Sequence, residues 1–333
     1  MPNQAMGAHA RVVMEFEDSP GIENAEHKKA IHMMFINSNV KAEQNQSISN
    51  VITGNRNPVV PFRGFITTEG EAEYPLDTAQ IGMLLTAAFG LPETTSESDK
   101  YKHVFKIKKQ MPSFTYEQGF QDISVYNKYI GCKISKLSFS FGGDSELTVQ
   151  ASIMGIKEES TGATIQENAP VLAGQKLNFD NAFLKEGEEE LAIATEASLD
   201  IDFGLDGDTY AIGGGGFRSF INDGIVEITG STKTFFKDST LSNKAINGTN
   251  TSIEIDMRHN DESMTILLPE VKYTRSTPGI DGPSGVYENL NFNAFYAGNE
   301  HESAIVITLV NKIASYDIPA VESVSMMSSP KLM

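Results

Sequence analysis

The sequence predicts a mainly β protein: two tandem β-sandwich or barrel modules, each with one short flanking α-helix, plus extended arms and long loops. Three observations carry that prediction. Short runs alternate apolar and polar side chains through most of the chain, as in KISKLSFSF (133–141) and ELTVQASIM (146–154). Residues 62–66 (FRGFI) return as 217–221 (FRSFI), each time followed by a strand-like run and a short helix that ends at glycine. Landmarks of different kinds (Arg63 and Arg218, Gly90 and Gly248, Leu137 and Leu290) keep nearly one interval, the mark of an internal duplication.

In chain order, residues 1–30 are polar and mixed, with a turn at Asp18, Ser19, Pro20 and Gly21, and read as an N-terminal arm. The first module spans 31–155. Its first strand is expected at 31–40, followed by a loop at 44–61 rich in Asn, Ser and Pro. A strand with a solvated face is expected at 67–74 and a helix at 77–89. There Asp77 and Gln80 resemble a capping box, Ile81, Leu84, Leu85 and Ala88 share one face, and Gly90 and Pro92 stop the turn. A helix this short depends on packing its apolar stripe against a sheet. A loop at 93–100, strands at 103–108 and 113–118, and a hairpin of 133–141 with 146–154 across 142–144 complete the module. Leu137, Phe139, Val149 and Ala151 mark the hairpin's core face; Ser138, Ser140 and Gln150 mark its polar face.

Residues 156–192 are charged and contain Gly and Pro, as expected of a linker or insertion. The second module spans 193–316. A strand at 194–203 opens it, the glycines 213–216 stand in the place of the long loop, and a strand at 224–236 and a helix at 238–246 follow. Strands are expected at 252–258 and 264–268, then a pairing of 290–296 with 304–310 across Gly298, Asn299 and Glu300. A C-terminal tail occupies 317–333.

Composition narrows the function. The length exceeds one typical domain, and 40% hydrophobic residues suffice for two cores. With 26 basic and 44 acidic residues the formal charge is -18, so the surface repels phosphate and anionic lipid and is ill suited to gripping nucleic acid. No stretch nears the length of an apolar membrane span and the start lacks a signal-peptide pattern, so neither membrane insertion nor secretion is expected. The single Cys132 excludes an internal disulfide framework and a multi-cysteine zinc site. The glycine run lacks the Lys-Ser/Thr ending of a phosphate loop, and the six histidines show no paired-ligand spacing. Asp200, Asp202, Asp206 and Asp208 lack the order of a calcium loop, and no nucleophile elbow appears. No catalytic residue, metal or cofactor is expected, and the chain reads as a part that assembles.

Three stretches carry a resemblance: FRGFITTEGEAEYPLDTAQIGMLLTAAFG, the hairpin KLSFSFGGDSELTVQASIMG and the run ENLNFNAFYAGNEHESAIVITLVN. Over most of its length the chain resembles the tail tube proteins of long-tailed bacteriophages. The resemblance implies a sandwich whose inner sheet joins its neighbours in a ring, with rings stacked through long loops and arms. A tandem pair implies a trimer with pseudo-sixfold symmetry. The second copy and linker depart from a single-module member, so trimer and hexamer both stay open. The implied partners are further copies, tape-measure, tail-tip and terminator proteins, a sheath if the tail contracts, and double-stranded DNA passing without specific contact. The implied location is the virion tail, with host cytoplasm during assembly.

An acidic wall would let DNA slide, because carboxylates repel phosphates. Asp200 and Asp202 alternate with apolar residues, as do Glu254 and Asp256; with Ser138, Ser140 and Gln150 they are the lumen candidates. Ordinary solvent-facing charge is the alternative for each one, and Lys106 and Lys108 stand against a uniformly negative wall. Arg63 and Arg218 are candidates for subunit contact, and Asn50, Asn55 and Arg56 for ring stacking. The alternative function is a tail-tip or capsid-decorating module that binds a host surface ligand.

Overall fold

Backbone ladders organise the chain, and one set of them occurs twice. The computed structural model describes residues 4–316 except 143–145, 173, 179–181, 188, 192–193 and 281. The expected hairpin turn lies partly, and the expected tail at 317–333 entirely, outside the described residues.

The first copy comprises β1 (Ala10–Phe16), β2 (Ile31–Met33), β3 (Asn37–Ser38), β4 (Lys41–Ser47), β5 (Phe62–Pro75), α1 (Ile81–Phe89), β6 (Glu93–Glu97), β7 (Lys100–Lys106), β8 (Phe114–Phe120), β9 (Val125–Gly142), β10 (Thr148–Gly155) and β11 (Lys157–Thr161). One ladder runs β2, β1, β8, β9, β11 and the other β4, β5, β10, β9, all antiparallel. The 18-residue β9 serves both, its first half beside β8 and β11 and its second beside β10.

The second copy comprises β12 (Ala182–Glu186), β13 (Glu189–Glu190), β14 (Ala194–Asp202), β15 (Glu227–Phe235), α2 (Thr240–Asn247), β16 (Thr251–His259), β17 (Glu262–Tyr273), β18 (Tyr287–Ala294) and β19 (Val306–Asn311). Its ladders run β13, β12, β16, β17, β19 and β14, β15, β18, β17. This repeats the first copy strand for strand, with β3 and the β6–β7 hairpin as its additions. Two glycines mark the common register: Gly70 faces Ile153, and Gly230 faces Phe292. A Cβ on Gly70 would sit 2.4 Å from the Val40 Cα, and one on Gly230 would sit 2.5 Å from the Ser198 carbonyl oxygen. Neighbouring strands cross too closely there for a side chain.

Several expectations change. Residues 10–16 are a core strand and not part of an arm, because RVVMEF is apolar enough to bury Val12, Val13 and Met14. The run 31–40 breaks into β2 and β3, and β4 takes the start of the expected loop. Residues 93–97 form an exposed hairpin strand. The segment expected as linker supplies β11 and β13, edge strands with Glu159, Glu189 and Glu190 exposed, and β12, which lies between β13 and β16 and buries Glu186 against Lys244. Residues 290–296 and 304–310 do not pair together: β18 lies beside β15 and β17, and β19 beside β17 and β7. The ladders therefore match Leu290 with Ala151 and not with Leu137. The FRxFI echo also takes two conformations, strand β5 at 62–66 and an irregular segment at 217–221.

Helix α1 is buried at every one of its residues, and not on one stripe, with Gly82 against the Tyr316 ring. The Asp77 carboxylate accepts from the Ala79 and Gln80 amides at 2.7 and 2.6 Å. Gln80 does not close a capping box; its side chain bonds Met34 N–H and C=O at 2.5 and 2.7 Å. Helix α2 buries Leu241, Ser242 and Ala245 only and ends at Gly248 with φ 62. One apolar cluster runs through both copies.

Candidate functional surface

The two copies share a sheet. Strand β14 of the second pairs with β15 on one side and, over seven positions, with β9 of the first on the other. The ladder β4, β5, β10, β9, β14, β15, β18 is therefore continuous. Its period of two sends Tyr74, Val149, Leu137, Leu199, Ile228 and Leu290 into the core. The opposite face is polar along its whole width.

Three rows of directly opposed side chains cross that face. Glu73, Gln150, Ser138, Asp200, Thr229 and Asn293 form one; Glu71, Ser152, Lys136, Asp202 and Glu227 form another; Ser140, Ser198, Ser231 and Asn291 form the third. Hydrogen bonds knit the rows. Ser138 Oγ donates to Asp200 Oδ1 at 2.5 Å, Gln150 Nε2 to Glu71 Oε2 at 2.8 Å, and Ser198 and Ser231 hydroxyls meet at 2.8 Å. Lys136 pairs with Asp200 at 3.0 Å and Lys233 with Glu196 at 2.7 Å. Glu43, Glu69, Glu71, Glu73, Glu196, Asp200, Asp202 and Glu227 outnumber Lys41, Lys136 and Lys233, so the face is acidic overall.

Asp200, Asp202, Ser138, Ser140 and Gln150, expected to lie together, stand on this one face. Glu254 and Asp256 do not. Strand β16 belongs to the other ladder, where Glu254 bonds Lys185 at 2.6 Å and Asp256, 4% exposed, accepts from Arg258 Nε at 2.7 Å. Alternation tells the two sides of a strand apart but not the ladder to which it belongs. Glu69, Glu71, Glu73 and the asparagines of β18 were missed, although the alternation in EGEAEY and ENLNFN carried the signal.

A second set of contacts fixes the copies together. Arg218, 6% exposed, sends its guanidinium to the carbonyls of Gly207, Thr68 and Gly155 at 2.8, 3.2 and 3.0 Å and to the Glu69 carboxylate. The Tyr210 ring stacks on Phe65 at 4.2 Å, and Lys133 pairs with Asp223 at 2.6 Å. Strand β7 pairs with β19 over six positions. Beside that pairing His103 is buried: Thr94 Oγ1 meets Nδ1 at 2.8 Å, and Nε2 bonds the Ile313 carbonyl at 2.9 Å. Burial pushes its proton affinity below the usual histidine value. Arg218 thus joins modules of one chain. Arg63 is exposed on β5, and Asn50, Asn55 and Arg56 are exposed in the irregular 48–61 segment beside Ile48, Val51, Ile52 and Val60.

A family model described as phage tail tube protein matches residues 7–294. The chain belongs to the phage tail tube protein family. No curated protein matches it. Family membership makes it a structural component of the virion tail, one that assembles with copies of itself and meets other tail proteins. The tail tube match covers the whole shared sheet, from β4 to β18.

Proposed function

We propose that three copies of the chain close into a pseudo-sixfold ring, that rings stack into a hollow tube, and that the acidic polar face lines the lumen through which DNA leaves. The observation that carries this reading is the β9–β14 ladder, which makes one sheet, with one polar face, out of two modules. Repetition of that junction around an axis gives a closed barrel without free edges. On that wall carboxylates repel phosphates while Ser, Thr, Asn and Gln present neutral groups, so a duplex passes without a holding site. The exposed 48–61 segment, with Asn50, Asn55 and Arg56, reaches the next ring, and Arg63 lies where a neighbour can contact it. Tape-measure, tail-tip and terminator proteins meet the tube at its interior and ends, and a sheath, where the tail contracts, meets its outside.

Electron microscopy of the purified full-length chain, with tape-measure protein added where needed, tests this. Rings or tubes with three chains and six similar lobes per layer are expected. Six chains per layer would overturn the trimer; a persistent monomer under assembly conditions would overturn the tube. Small closed oligomers with saturable binding to a host surface ligand would instead support a tail-tip module.

A further inference from the structure

One edge of each module behaves differently in the two copies. Strand β14 pairs on both sides, with β15 and with β9. Its counterpart β4 pairs among the described residues with β5 alone, so its other edge shows unpaired N–H and C=O groups. At the far end, β9 continues past Ile134 for the length that β14 covers, whereas β17 stops at Tyr273 and residues 274–286 form no ladder among those described. Strand β18 meets β17 only at Phe292, Asn293 and Ala294. The first copy's sheet is completed by the second; the second copy's sheet lacks its next strand.

The ladders give the register of what is missing. Leu199, Gly230, Phe292 and Tyr273 lie across the second copy as Val40, Gly70, Ile153 and Ile134 lie across the first. Counting from Ile134 and Tyr273, with the bulge that β9 carries at Ser135 repeated at Thr274, whose N–H donates to the Asn291 carbonyl at 2.7 Å, Arg275 takes the place of Lys136 and Thr277 that of Ser138. Counting from Leu199 and Val40, Lys41 takes the place of Asp200 and Glu43 that of Asp202. Within the chain Lys136 stands opposite Asp202, and Ser138 opposite Asp200. The charge pair is repeated in the same sense: the base Arg275 comes opposite the acid Glu43, as Lys136 stands opposite Asp202.

From this we infer that residues 274–277 of one chain, ending before Pro278, become a short strand between their own β18 and the β4 edge of a second copy, with Arg275 opposite Glu43. The inference rests on the proposed ring and names its contact surface. Glu43 is exposed and pairs with Lys41 at 2.6 Å in the single chain, and Arg275 is exposed, so both side chains are accessible to a neighbour. The contact is head to tail, so it closes a ring rather than a two-fold dimer, and its backbone bonds supply affinity while the charge pair sets register.

The full-length double variant Glu43→Cys with Arg275→Cys tests it, because directly opposed strand residues lie within disulfide reach. Cys132 is buried and offers no competing surface thiol. After assembly and mild oxidation, covalent closed oligomers on a non-reducing gel are expected, and monomer from either single variant. In a second measurement, Glu43→Arg or Arg275→Glu alone should lower ring yield roughly tenfold, the two together should restore it, and the thermal midpoint of the monomer should stay unchanged. Rings that form without the cross-link and ignore both charge reversals would overturn this contact and leave the tube reading standing. A wild-type chain that forms neither ring nor tube would overturn both.

Discussion

The guanidinium of Arg218, in the second module, donates to the main-chain oxygens of Thr68 and Gly155, which face each other on adjacent strands of the first. One planar cation thus spans two strands of the other module, and its third nitrogen reaches Glu69. Arg218→Ala should lower the unfolding free energy by roughly 3 kcal/mol, since a buried charge-assisted network disappears. Arg218→Lys should recover only part of that, because an ammonium cannot hold the fork. Urea unfolding of the unassembled chain is the measurement, and an unchanged midpoint would show that the modules do not depend on this contact.

The two cross-strand glycines give an independent test of the duplicated register. Gly70→Ala would push a methyl onto the backbone of Val40, and Gly230→Ala onto the Ser198 carbonyl and the Phe292 ring. Neither backbone contact can yield as a flexible side chain would, so each variant should lose roughly 2 kcal/mol. Thermal unfolding of both variants should show similar losses, and Gly162→Ala, with open space around its Cβ position, should be nearly neutral.

How much of this was legible in the sequence depended on the period of the signal. The hairpin faces of Leu137 and Ser138, the strand at 194–202 and both helices declared themselves because alternation and capping are local. Pairing is not local. The apolar run of 290–296 and that of 304–310 looked like a hairpin, yet each found a longer-range partner, and Asp256 alternated as cleanly as Asp200 while lying buried in the other ladder. Strand β1 was hidden by the charged residues that follow it, and β11 to β13 by the charged residues within them, of which Glu186 is buried only through its pairing with Lys244. The arginine echo singled out Arg218 for subunit contact, whereas its guanidinium joins the two modules of one chain, and the two echoed segments do not share a conformation.

The polar face yields a prediction about passage. Replacing Glu71, Glu73, Asp200, Asp202 and Glu227 by their amides removes much of the negative charge while leaving the Arg218 contact to Glu69 in place. Phage assembled with that variant should eject DNA roughly tenfold more slowly at low salt, with the difference shrinking as salt screens the wall. Neutralising Glu254 in place of these residues should leave the rate unchanged. Equal ejection kinetics from the five-fold variant and the wild type would put this face somewhere other than the lumen.

Deleting residues 48–61 and joining β4 to β5 by a short turn should leave the fold intact, since that segment is almost wholly exposed. If it reaches the next ring, the variant should form single rings and lose long tubes, which sedimentation and microscopy separate. Tubes of normal length would remove Asn50, Asn55 and Arg56 from stacking.

Acid should loosen the join between β7 and β19 through His103. Folding lowers its proton affinity by burial, so the unfolded chain takes up a proton near the usual value of 6.5 while the folded chain does not. The stability that His103 contributes is therefore full above that pH and is lost as the pH falls toward its folded value. His32, lowered by burial and then by Arg11, acts in the same sense. Glu17 acts in the opposite one: burial raises it, so its contribution is full below the usual carboxylate range and is lost as the pH rises through its folded value. The wild-type slope alone thus mixes opposing groups, and the difference from His103→Gln isolates one of them. Thermal midpoints measured from pH 7.5 to pH 5 should converge for the two proteins as the pH falls, and parallel curves would show that His103 does not govern this join.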